Sequence, residues 1–139
     1  MKLTDHQFTE AAFIFEKENG SYHGNYEKSV IKESNLTLIE PSKLKANIID
    51  GLQSNLYAEI KDRTSAYWAL SKTNDTNLIS DYKKWLKREL SEENPIPIFQ
   101  ILLALDRFDE PSFHKDRVSR HYDDVELNIR DAKNYLENN

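Results

Sequence analysis

The sequence predicts an all-α chain, and three observations carry the prediction. Apolar residues recur at three- and four-residue spacing along most of the 139 residues. Only three glycines and four prolines interrupt them, and no strand signal competes, since the one short apolar piece (NLTLIE, 35–40) has nothing to pair with. Finally, PIPIFQILLALDRF at 95–108 leaves almost no polar face until Asp106 and Arg107. A helix apolar all round is a membrane span or the centre of a globular domain, and this one is shorter than the roughly 20 residues a bilayer needs. The expected architecture is a compact, right-handed stack of about six or seven antiparallel helices around that segment, in a single all-helical domain over residues 1–139.

In chain order, a first helix is expected over 5–17. Thr4 and Gln7 have capping-box spacing, Phe8, Ala11, Ala12 and Phe15 share a face, and Asn19-Gly20 ends the helix. A loop with Tyr22, His23 and Gly24 leads to a short helix over 26–34, and 35–40 reads as loop. Pro41 suits a first helical turn, and Leu44, Ile48, Ile49 and Leu52 carry a helix to residue 54. Leu56, Ile60, Tyr67, Trp68 and Leu70 mark the next, over 56–72. Asn74-Asp75 breaks the chain, and Leu78, Ile79, Tyr82, Trp85, Leu86 and Leu90 give an amphipathic helix over 76–91. A turn at 92–94 precedes the central segment, and Pro111 closes the loop after it. The last helix is expected over 113–137, with Val118, Tyr122, Val125, Ile129, Ala132 and Leu136 in one stripe.

The composition, 38% hydrophobic and 31% charged with a mean hydropathy of -0.76, describes a water-soluble, ordered chain. The absence of cysteine excludes disulfides, zinc–thiolate sites and cysteine nucleophiles, and suits a reducing compartment. The first 20 residues lack the apolar core and small-residue cleavage site of a signal peptide, so a cytoplasmic protein without membrane association is expected. A net charge of -5 argues against nucleic acid, whose phosphates need a basic field, and suits a basic partner.

Two segments resemble each other. Tyr67-Trp68-Ala69-Leu70 followed by SKTND aligns with Leu102-Leu103-Ala104-Leu105 followed by DRFDE, Ala69 and Ala104 being 35 residues apart. In each, an apolar helix ends in Ala-Leu and a polar loop with an acidic residue opens the next helix. The small residue lets neighbouring helices approach, and repeats of this length mark helical solenoids. On these residues the chain resembles HEAT-like repeat proteins, over about 41–111. Small acidic helical proteins of this kind are similar to bacterial immunity proteins of polymorphic-toxin and contact-dependent growth inhibition systems. The resemblance implies stoichiometric binding of a cognate toxin, frequently a basic nuclease, over its active site, with the free protein a monomer.

Candidate chemistry is sparse. There is no HExxH, no phosphate-binding glycine loop and no GxSxG elbow, and Gly20, Gly24 and Gly51 leave little to build a cradle from. His114 and His121, expected on one helix, are seven apart, too far for joint ligation at i, i+4. His121 with Asp123 or Asp124 is the one arrangement that would suit a small hydrolase. Lys83, Lys84, Lys87 and Arg88 read as the solvated face opposite Tyr82, Trp85 and Leu86. No catalytic residue, metal ligand or cofactor is therefore expected. Partner binding is assigned to carboxylates converging on one rim, Asp106, Asp109 and Glu110 at the end of the central helix, Glu92 and Glu93 in the turn before Pro95, and Asp123, Asp124 and Glu126 on the last helix, together with Tyr122. The exposed loop of Tyr22, His23 and Tyr26 is a second contact region. The reading is a non-enzymatic binding protein that occludes a basic toxin, with a helical adaptor as the alternative.

Overall fold

The computed structural model describes residues 1–139, and its contacts group into two compact units, 1–74 and 75–139. Both are all-helical: the chain forms seven α-helices, two short 3-10 turns and no strand. No helix is long and apolar enough to cross a membrane.

In the first unit, α1 (Asp5–Glu18) is the hub, packing against α2 (Asn25–Glu33), α3 (Pro41–Gln53), α4 (Ile60–Ser71) and the 3-10 turn Asn35–Leu38. The capping box forms as the sequence predicts: the Gln7 N–H donates to Thr4 Oγ1 at 3.2 Å, and the Thr4 N–H to Gln7 Oε1 at 3.0 Å. Phe8, Ala11 and Ala12 on α1 and Ala66, Tyr67, Ala69 and Leu70 on α4 are fully buried. Alanines on both helices let the backbones approach, while Phe8 and Leu70 fill the space beside them.

In the second unit a 3-10 turn (Thr76–Leu78) leads into α5 (Ile79–Ser91), α6 (Pro95–Arg107) packs along it, and α7 (Val125–Asn138) lies against both. Tyr82 is the centre of the apolar core, its ring 5.2 Å from Trp85 and 5.7 Å from Phe108. Around it Leu86, Ile98, Ile101, Leu102, Leu105 and Ala132 are all fully buried.

Helix ends share one device. Gly20 (φ 85°), Asn55 (φ 62°), Glu93 (φ 55°) and Asp109 (φ 63°) take the left-handed conformation just past α1, α3, α5 and α6. Each time the following N–H reaches back a full turn and more to an orphaned carbonyl: Ser21 to Glu16, Leu56 to Gly51, Asn94 to Glu89 and Glu110 to Leu105. Asn74 (φ 54°) is left-handed too. Asn74 and Asp109 hold equivalent positions in the two similar segments, 35 residues apart.

Four expectations are corrected. The helix expected over 56–72 begins at Ile60, because Arg63 is buried and donates from Nη1 to the Tyr57 (3.2 Å) and Ala58 (2.7 Å) carbonyls, which holds 57–59 in an extended turn. Leu56 and Ile60 are consequently exposed, and Tyr57 is the buried residue. Residues 35–38 form a 3-10 turn. The central helix is not buried all round, since Ile96 and Leu103 are exposed and Phe99 half-buried. The largest difference is the last helix, which starts at Val125. Residues 113–124 are irregular, so Val118 and Tyr122 belong to no core stripe, and His114 and His121 share no helix face.

Candidate protein-binding surface

The irregular stretch 110–124 is held against α7 by a buried ionic network. Arg117, with a side chain 1% exposed, donates from Nη1 to Asp131 Oδ2 at 2.9 Å and from Nη2 to Asn128 Oδ1 at 3.0 Å. Its Nη2 is also 3.4 Å from Asp124 Oδ2, its Nε reaches the Ser119 carbonyl, and the guanidinium covers the Phe113 ring at 5.3 Å. Asp131, wholly buried, accepts further bonds from the His114 N–H (3.1 Å) and from Arg130 Nε (3.0 Å) and Nη2 (2.8 Å). Burial pushes the Asp131 carboxyl up, but the His114 amide and the two guanidiniums outweigh it, and the net shift is downward. Arg130 also grips Asp116 through two bonds, at 2.7 and 2.9 Å, which holds that carboxyl at about 2. A charged pair this deep persists only when its donors and acceptors are matched, as they are here.

The contacts run in order along α7. Tyr135 Oη donates to Glu110 at 2.6 Å, Asp131 meets His114 and Arg117, and Asn128 Nδ2 donates to the His121 carbonyl at 3.0 Å. The segment thus runs antiparallel to α7 before α7 begins. It also follows α6: Ser112 donates to the Leu102 carbonyl at 2.8 Å, and Phe113 meets Phe99 at 6.1 Å.

This path carries Tyr122 onto the outer face of α6. With Ile96, Phe99, Gln100 and Leu103 it lines a shallow groove of about 480 Å³. Ile96, Leu103 and Tyr122 are exposed, as are Val118, Val125 and Leu127 elsewhere on the segment and α7. Positions 96, 99, 100 and 103 follow helical spacing.

The predicted carboxylates do not converge on one rim. Glu92 and Glu93 precede α6 and Asp106, Asp109 and Glu110 lie at its far end, so the 13-residue helix separates them by about 20 Å. Glu92 pairs with Arg88 at 3.0 Å, Asp106 with Arg120 at 2.8 Å, and Glu110 accepts from Tyr135, whose phenol is pushed up by burial and by that carboxylate. Asp124 is engaged by Arg117. Glu93, Asp109, Asp123 and Glu126 are the exposed carboxylates left outside those pairs, Glu93 and Asp109 at opposite ends of α6 and Asp123 beside Tyr122. His121 Nδ1 accepts the Asp123 N–H at 3.1 Å and lies 3.5 Å from Asp123 Oδ2, both side chains exposed. Asp124, the other carboxylate considered for His121, is turned to Arg117 instead.

In the first unit, Tyr22 and Tyr26 are exposed as expected. His23 is not: it is buried, its ring 5.8 Å from Phe13. The groove on α6 escaped the sequence because Ile96, Phe99 and Leu103 are as apolar as the core positions between them. The signal was a helix carrying more apolar positions than one buried face can take. No known protein family, curated protein or solved structure matches the chain.

Proposed function

We propose that the chain is a non-enzymatic protein-binding module and that the outer face of α6 is its contact surface. The observation that carries this reading is the groove of Ile96, Phe99, Gln100, Leu103 and Tyr122, with the exposed carboxylate of Asp123 next to Tyr122 and those of Glu93 and Asp109 at the two ends of α6. An exposed apolar patch holding an aromatic anchor, with charged residues beyond it, has the make-up of a protein interface. The charge of the unit that carries the groove selects the partner. The second unit carries 14 acidic and ten basic side chains, a net of -4, whereas the first carries ten and nine, a net of -1. A basic partner therefore meets the second unit, its cations on Glu93, Asp109 and Asp123 and its apolar residue against Tyr122.

Glu93 adds separate support. A glutamate at φ 55° gives up conformational energy that glycine would not, of order 1–2 kcal/mol. Stability alone favours glycine there, and an exposed carboxylate is what the glutamate supplies instead.

The biological reading we propose is the one the HEAT-like resemblance implies: a bacterial, cytoplasmic immunity protein that neutralises a cognate toxin, of basic nuclease type, by covering its active site. A helical adaptor in a larger assembly uses the same surface and is the second reading. The two differ in what the partner does. Affinity capture from the source extract, followed by expression of the captured protein with and without this chain, separates them. Immunity requires a basic protein that kills cells unless this chain is present, and a harmless partner leaves the adaptor.

A further inference from the structure

We propose a second, chemically different site in the first unit: a cleft that binds a phosphate monoester carrying an apolar body. Lys17 at the end of α1, Lys28 and Lys32 on α2, and Thr37 in the 3-10 turn line a hollow of about 470 Å³, floored by Ile31. Lys28 and Lys32 are i, i+4 neighbours, where like charges repel, and none of the three lysines forms an ion pair. A second hollow of about 270 Å³ shares Lys17, Ile31 and Thr37 and continues over Ile14, Ile39 and Pro41, with Glu18 at its edge. A cationic mouth thus opens onto an aliphatic trough. The volumes suit a small molecule rather than a single ion.

His23 is the independent observation. It lines the same hollow with a side chain only 7% exposed, yet the imidazole makes no hydrogen bond. Its Nε2 is sealed from solvent, with Glu16 Oε1 at 3.5 Å, and Phe13 packs edge-on against the ring. Buried polar groups in native proteins are nearly always satisfied, yet this imidazole has only the 3.5 Å approach of Glu16 to Nε2, and its other nitrogen is left for an acceptor in the hollow that His23 lines. A phosphate oxygen in the hollow would accept a hydrogen bond from the imidazole Nδ1, with Glu16 on the opposite side of the ring. Ammonium groups recognise phosphate as point charges, and three of them match a dianion better than a carboxylate. The aliphatic trough takes the rest of the molecule.

The test is a titration of the full chain with octyl phosphate, followed by NMR at the His23 imidazole and the backbone amides of 14–39. The expected result is saturable shifts confined to those residues, at least ten-fold weaker binding of inorganic phosphate, and at least ten-fold weaker octyl phosphate binding in Lys28→Glu/Lys32→Glu. Both lysines are exposed, so that variant folds, and unshifted amides of α3 and α4 in the same unit verify this. Vesicles containing phosphatidic acid, added in parallel, identify the source: binding lost in the same variant points to a lipid headgroup, and no binding to a free metabolite. Absence of saturable shifts, or equal affinity in the variant, overturns the proposal.

Discussion

Glu93 and Asp131 show how differently two carboxylates act in one unit. Glu93 is exposed and left-handed, at a position where glycine serves the helix end better. Glu93→Gly is expected to raise stability by about 1 kcal/mol in chemical denaturation while weakening partner binding, and a variant that neither gains stability nor loses affinity contradicts the role given to it. Asp131 is the opposite case, buried and bonded to Arg117, Arg130 and the His114 amide. Asp131→Ala strands the Arg117 guanidinium and is expected to cost about 3 kcal/mol or more. Asp131 and Asp116 also set an acid limit. Both carboxyls are held below their ordinary value, so their contribution is fully present above about pH 5 and is lost as pH falls through 4 toward 2. Asp116 is half exposed, so solvent screens its share, and Asp131 dominates. Amide exchange across 110–124 should therefore rise below pH 4 before α5 and α6 lose protection, and simultaneous loss would show that the network does not hold the segment independently.

At the level of elements, what the sequence reveals is what local rules decide. The Thr4–Gln7 box, Pro41 at a first turn and the stripe of Tyr82, Trp85 and Leu86 need only neighbours within one turn, and each forms as read. The errors lie where a distant residue intervenes. Val118, Tyr122, Val125 and Ile129 keep helical spacing, so 113–137 reads as one helix. Instead Arg117 and Asp131, 14 residues apart, hold the first half open and irregular. Spacing cannot show that an arginine will be buried. The start of α4 fails likewise, through Arg63 and the Tyr57 and Ala58 carbonyls. Gly51 is a related case. It lies inside α3, where alanine is the better helix former, but an added Cβ would come within 2.6 Å of the Tyr57 ring. Tyr57 is fixed, since its hydroxyl accepts the Leu3 N–H at 3.0 Å. Gly51→Ala should thus destabilise by about 1–3 kcal/mol despite its higher helix propensity, and a stabilised variant would mean that Tyr57 moves freely.

On the scale of the whole molecule, the two units differ in charge and in the hollows they carry. The second unit holds most of the net charge and the groove on α6, whereas the first holds the lysine-lined cleft around His23. Of the proposed partner-binding surface, the acidic character of the unit and Tyr122 can be read in the sequence. It does not reveal the groove beside Tyr122, nor that Asp106, Glu92, Asp124 and Glu110 spend their charge within the protein. Both depend on the path of 110–124. The net acidic charge of the second unit implies association with a basic partner that slows as ionic strength rises, whereas the proposed Tyr122 contact should act chiefly on dissociation.

The most direct measurement is affinity capture from the source extract with three baits: the wild-type chain, Tyr122→Ala, and Leu103→Asp. Tyr122 is 52% exposed and Leu103 37%, neither is among the buried core residues, and an unchanged helical circular-dichroism spectrum verifies that both variants fold. If the groove is the interface, the wild type retains a basic protein in stoichiometric amount and either substitution reduces its retention at least ten-fold. A partner held equally well by all three baits would contradict this and remove the groove on α6 from the interface.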